Sequence, residues 1–100
     1  MDMTIEMQRN EKELNVALSG RLDTTTAPTL EQTIGEHIGE IETLVLDFKG
    51  VEYISSAGLR VVLNAQKKMQ AIGEMKVINV CQEVMDVFEM TGFVDILTIE

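Results

Sequence analysis

The stretch LVLDFKGVEYISSAGLRVVL, Leu44–Leu63, changes its hydrophobic period partway along. TLVLDF, residues 43–48, is a short dense apolar run. It predicts a central strand buried on both faces. KGVEYI, residues 49–54, leads out of that strand. From Ser56 apolar residues return at helical spacing, at Leu59, Val62, Leu63, Ala65, Met69 and Ile72. Arg60, Asn64, Lys67 and Lys68 fall on the other side, and Gly73 marks the end. A strand that feeds a helix implies a crossover connection and a parallel neighbour. At the junction stand two hydroxyls, Ser55 and Ser56, followed by the small residues Ala57 and Gly58.

Toward the N-terminus, Met3, Ile5 and Met7 alternate with polar residues. RNEKE interrupts, and Leu14, Val16 and Leu18 then alternate up to Ser19–Gly20. This predicts a β-hairpin with one buried face. In RLDTTTAPTLEQTIGEHIGEIE the period changes. Ala27, Leu30, Ile34, Ile38 and Ile41 form one helix face. Thr25 or Thr26 is the expected N-cap, with Pro28 in the first turn. Gly35 and Gly39 predict an end near Gly39.

Toward the C-terminus, MKVINV, residues 75–80, reads as a strand. QEVMDVFEMTG reads as a shorter helix, with Val84, Val87 and Phe88 inward and Gly92 as its stop. VDILTI is either a last short strand or a tail packed on the sheet edge. The expected architecture is α/β, with residues 1–100 as a single domain. Its mixed sheet has four to five strands, opens with an antiparallel hairpin and carries three to four helices on its faces.

The formal net charge of −9 disfavours nucleic acid and anionic membrane surfaces as partners. It serves solubility, or else offers an acidic face to a basic partner. No apolar run approaches the ~18 residues that span a bilayer. MDMTIEMQRN lacks the basic-then-apolar pattern of a leader, so a cytoplasmic protein is expected.

Catalytic chemistry is poorly provided for. The single histidine, His37, lies beside an apolar stripe, where a structural role is expected. The single cysteine, Cys81, reads as a small buried hydrophobe. One of each is too few for a structural zinc site. GxSxG and Gly-rich phosphate loops are absent from the sequence. No enzyme activity, metal or cofactor is therefore expected. An activity would have to rest on Asp23, Ser55 and Ser56 alone.

The serines at the junction have two readings. A serine oxygen at a helix start caps an orphan amide, worth ~1 kcal/mol. The same helix end stabilises an anion, including the phosphate of a phosphoserine. The residue pattern by itself leaves both open.

Three stretches then carry a resemblance over nearly the whole chain. They are LSGRLDTTTAPTL (Leu18–Leu30), LVLDFKGVEYISSAGLRVVL (Leu44–Leu63) and VFEMTGF (Val87–Phe93). In this order and spacing they resemble a STAS domain, most of all the small stand-alone bacterial anti-sigma-factor antagonists. The resemblance implies partner switching. The unphosphorylated antagonist binds an anti-sigma factor that is also a serine kinase. That kinase phosphorylates one junction serine with ATP, and a phosphatase restores it. The family's motif is often Asp-Ser-Ser/Thr-Gly-Leu, and its acceptor serine matches Ser56, with Ser55 as the alternative. Gly58 and Leu59 match, and Ala57 replaces the second hydroxyl. The aspartate of the family's Gly-x-Leu-Asp stretch matches Asp23, expected near the serine in space. Asp23, Ser55, Ser56, Ala57, Gly58 and Arg60 form the expected partner-binding set. Ser55 stands where the family often has aspartate, which removes a charge beside the acceptor and adds a hydroxyl. The alternative within the family is a non-switching scaffold or a ligand sensor with weak nucleotide affinity. A transporter tail is not expected, because no membrane segment precedes the domain.

Overall fold

A computed structural model describes residues 3–100. Met1 and Asp2, the start of the stretch read for a leader, lie outside the described residues. Strand β1 (Thr4–Asn10) pairs antiparallel with β2 (Glu13–Leu22). Glu11 makes their tight turn with a φ of 57°. Helix α1 (Ala27–His37) and a 3-10 turn (Ile38–Glu40) lead to β3 (Thr43–Ile54). Helix α2 (Ser56–Ile72) leads to β4 (Glu74–Ile78). Helix α3 (Gln82–Thr91) and a 3-10 turn (Phe93–Asp95) follow.

The strand order is β1-β2-β3-β4, with β2, β3 and β4 parallel. Both crossovers step the same way across the sheet. Right-handed connections therefore put α1 and α2 on the same face. Helix α3 joins them there, with the Phe88 ring 6.2 Å from that of Phe48. All three helices thus share one face, rather than being spread over both. This corrects the reading of β3. Leu44 and Leu46 are fully buried, but Val45 and Asp47 are only half-buried on the open face.

Strand β3 is also twice as long as its apolar run. Its buried residues are Leu44, Leu46 and Phe48, and then Val51 and Ile54. The step changes from two residues to three because the β2–β3 register slips twice, between Ala17 and Ser19 and between Gly20 and Arg21. Each irregularity inserts a residue in β3 and breaks the alternation by which strands are recognised. Gly50 permits the first, since a Cβ there would stand 2.3 Å from the Ser19 Cβ. The slips carry the end of β3 to Leu22, where the Ser55 N–H donates to the Leu22 carbonyl at 2.9 Å.

Two further elements depart from their periodic reading. Ile41 is buried but lies beyond α1, in the link to β3. Met7 faces the helical side of the sheet opposite Val16, yet is 47% exposed, because β1 is the outer strand. At the other edge, VDILTI becomes a packed tail. Val77 N–H donates to the Thr98 carbonyl and Glu100 N–H to the Val77 carbonyl, each at 2.9 Å. The core is aliphatic around Phe48 and Phe88, and each such side chain contributes ~1.5–3 kcal/mol on burial.

Candidate functional site

The end of β3 turns directly into α2. Ser55, in extended conformation, is the N-cap, and its hydroxyl accepts from the Gly58 N–H at 3.3 Å. A helix start leaves four amides without intrahelical partners. Here Ser55 N–H is taken by Leu22 and Gly58 N–H by the Ser55 hydroxyl. The Ser56 and Ala57 amides have no partner among the described residues. Ser56 is exposed, and its hydroxyl makes no hydrogen bond among the described residues. The two serines therefore divide the two roles read from the sequence: Ser55 caps, and Ser56 is free.

Gly58 is buried because α2 begins hard against the β2–β3 pair. A Cβ there would lie 2.8 Å from Leu22 Cγ and 2.9 Å from both Ile54 Cγ1 and the Leu22 carbonyl oxygen. Close approach, not a special dihedral, requires glycine. Leu59 N–H donates to the Ser55 carbonyl at 2.9 Å, closing the first turn.

Asp23 follows Leu22 directly, one residue beyond the hydrogen bond to Ser55. It organises the start of α1. Its carboxylate accepts from Thr25 Oγ1 at 2.8 Å, Thr25 N–H at 3.0 Å and Thr26 N–H at 3.2 Å. The Thr25 hydroxyl above all holds the Asp23 carboxyl below its ordinary pKa. Partial burial opposes this, and the Thr25 and Thr26 amides add to it. Thr26 occupies the N-cap position without capping. Its hydroxyl instead donates to the Arg21 carbonyl at 2.7 Å and accepts from Asp23 N–H at 2.9 Å. The expected threonine cap is thus replaced by the aspartate three residues earlier.

Between the two helix starts lies a shallow cleft of ≈ 230 Å³, lined by Thr24, Ala27, Pro28, Glu31, Ala57, Arg60 and Val61. Arg60 is exposed one helical turn after Ser56. The sequence reading passed over Arg21 and Tyr53. They are register partners on β2 and β3, with the guanidinium carbon 4.0 Å from the ring centroid. Arg21 Nε also lies 3.8 Å from Asp23 Oδ2. Only the shifted register brings them together, so sequence spacing held no signal for the pair. Among the described residues no cluster of His, Cys, Asp or Glu is placed to hold a metal ion. Cys81 is half-buried and donates to the Val51 carbonyl at 3.4 Å.

Residues 4–100 match the family described as STAS domain. The chain belongs to that family. As a STAS domain it is 34% identical over 102 residues to the anti-sigma F factor antagonist of Paenibacillus polymyxa, covering 99% of this chain and 87% of the relative. A crystal structure of an anti-sigma factor antagonist from Mycobacterium paratuberculosis superposes with a TM-score of 0.88. It is 26% identical, over 97% of this chain and 84% of that one. The Bacillus cell fate determinant SpoIIAA in its phosphorylated form shares the STAS fold at 19% identity. Its TM-score is 0.78, over 97% of this chain and 91% of that one. No described helix of this STAS domain is long and apolar enough to cross a membrane.

Proposed function

We propose that this chain, residues 1–100 acting as one cytoplasmic domain, is an anti-sigma-factor antagonist that works by partner switching. Unphosphorylated, it binds an anti-sigma factor with serine kinase activity. The kinase transfers the γ-phosphoryl group of ATP to the Ser56 oxygen, the hydroxyl proton leaves and ADP departs. The modified antagonist is released, and a phosphatase returns it by hydrolysis. It acts as a binding module rather than as an enzyme.

The observation that carries this reading is the division of labour between Ser55 and Ser56. The Ser55 hydroxyl is engaged with the Gly58 amide, whereas Ser56 is exposed to a kinase. Ser56 can be modified without disturbing Ser55. The new charge would lie beside the free Ser56 and Ala57 amides at the positive end of α2, which stabilises it. The partner would meet up to two added negative charges on a surface formed by Asp23, Ser55, Ser56, Ala57 and Arg60. Gly58, expected in that set, is buried and serves to seat α2 beneath it. The antagonist relatives support the role, and the phosphorylated form of SpoIIAA offers a parallel within the fold.

The test is incubation with a cognate serine kinase and ATP, followed by mass spectrometry. One phosphate on Ser56 is expected, with none on Ser56→Ala. Ser56→Asp is expected to weaken binding of the anti-sigma factor. Phosphate on Ser55 instead, or a partner indifferent to Ser56→Asp, overturns the assignment.

A further inference from the structure

The exposed surface of α3 and the turn after it stands apart from the Ser56 region in both position and character. Helix α3 starts beside the end of β3, where Cys81 Sγ meets the Val51 carbonyl. The chain then returns along the sheet, since Ile99 afterwards runs parallel to β4 at Val77. Met90 and the Phe93–Asp95 turn therefore lie toward the opposite end of the molecule from the start of α2. Val84 and Phe88 face the core. Helical spacing puts Glu83, Asp86 and Met90 on the outward side, while Val87 packs partly against the core. Met90 is 82% exposed, and Val94 and Ile96 are 37% and 43% exposed. Isolated apolar residues on a surface are ordinary, but Met90 stands at the end of α3, and Val94 and Ile96 follow in and just after the next turn.

The charged residues of α3 and the turn after it are all acidic. Glu83, Asp86, Glu89 and Asp95 are exposed, and none forms an ion pair among the described residues. No lysine or arginine occurs after Lys76, which already faces Glu74 and Glu100 at 3.9 Å each. Asp86 is held by the Gln82 amide at 2.7 Å. Exposed apolar residues accompanied by charges of one sign select their occupant. A second copy would oppose like charges, and an anionic membrane would be repelled. A helix with apolar residues on one side and lysine or arginine beside them satisfies both features.

We propose that α3 and the following turn form a second docking surface, for a basic amphipathic helix of a partner protein. Met90, Val94 and Ile96 take its apolar side, and Glu83, Asp86, Glu89 and Asp95 pair with its cations. Because the surface is remote from Ser56, its occupancy is independent of phosphorylation there.

The test uses the full chain and an isotope-edited NMR titration. The probe is a synthetic Leu/Lys peptide of about 18 residues patterned as an amphipathic helix, with a scrambled peptide of equal composition as control. Shifts on Glu83, Asp86, Met90, Val94 and Ile96 are expected, with weaker binding of the scrambled peptide. Met90→Glu is expected to weaken binding about tenfold, as loss of a central anchor does. Its exposed position leaves the fold intact, which circular dichroism checks. Ser56→Asp is expected to change the affinity by less than about twofold, as additivity of distant sites requires. Absence of binding, shifts on another surface, equal binding of the scrambled peptide, or an unaffected Met90→Glu each overturn the proposal.

Discussion

The Ser55 hydroxyl accepts the Gly58 amide at 3.3 Å, while its neighbour Ser56 stands exposed. The two serines should therefore differ in stability effects. Ser55→Ala should cost ~1 kcal/mol, lowering the melting temperature by several degrees. Ser56→Ala should stay within ~0.5 kcal/mol of the parent. Ser55→Asp should keep the cap, because aspartate is an equally good N-cap at the positive helix end. Urea unfolding followed by circular dichroism measures all three. Equal losses in the two alanine variants would contradict the assignment of the cap.

Gly58 offers a sharper test of how α2 is seated. Gly58→Ala gains intrinsic helix propensity, which alone would stabilise the helix. Its Cβ would meet Leu22 Cγ at 2.8 Å and the Leu22 carbonyl at 2.9 Å, and backbone yields poorly. Overpacking should win, with a net loss of ~1–3 kcal/mol. Amide shifts around Leu22, Ile54 and Ser55 should report the displaced helix. A stabilised variant would refute the close approach.

Asp23 should make stability depend on pH in a defined window. Its folded pKa lies below the ordinary value, chiefly through the Thr25 hydroxyl. Its contribution is then fully present above the unfolded pKa of about 3.9. It is lost as pH falls through the folded value. Thr25→Val should raise the Asp23 pKa toward the unfolded one, as carboxyl NMR titration would show. The stability gap between the parent and Asp23→Asn should be widest near neutrality and narrow below about pH 4. A gap that widens on acidification would reverse the sign and refute the argument.

Phe48 is fully buried, and Phe88 anchors α3 to the sheet through it. Phe48→Ala should cost ~3–5 kcal/mol, since the lining cannot collapse around a rigid sheet. That is a large share of the ~5–15 kcal/mol that holds a domain together. Hydrogen exchange should show α3 loosened more than α1, because α3 meets the sheet at this contact. Uniform loosening would instead make Phe48 a general core residue.

Much of the molecule was legible from local pattern. The strands at Leu14–Leu18 and Leu44–Phe48, the helix from Ser56 to Gly73 and the stop at Gly92 each carry a period or terminator set by neighbours in sequence. The hydroxyl-rich junction was legible for the same reason, because a cap and its helix are local. What the sequence left open was which serine caps. What it misread was the covering of the sheet, with helices expected on both faces, and the length of β3, expected to end with its apolar run. These depend on pairing between distant residues. Two register slips against β2 turned the spacing of Phe48, Val51 and Ile54 from two to three, and no local rule encodes a partner strand's offset. The same slips set Tyr53 beside Arg21 and brought Leu22, and with it Asp23, to Ser55. The sequence by itself determined the elements and the chemistry available at the start of α2. Only the tertiary structure separated the capping serine from the free one, because a hydroxyl's role depends on which amide the folded backbone puts within its reach.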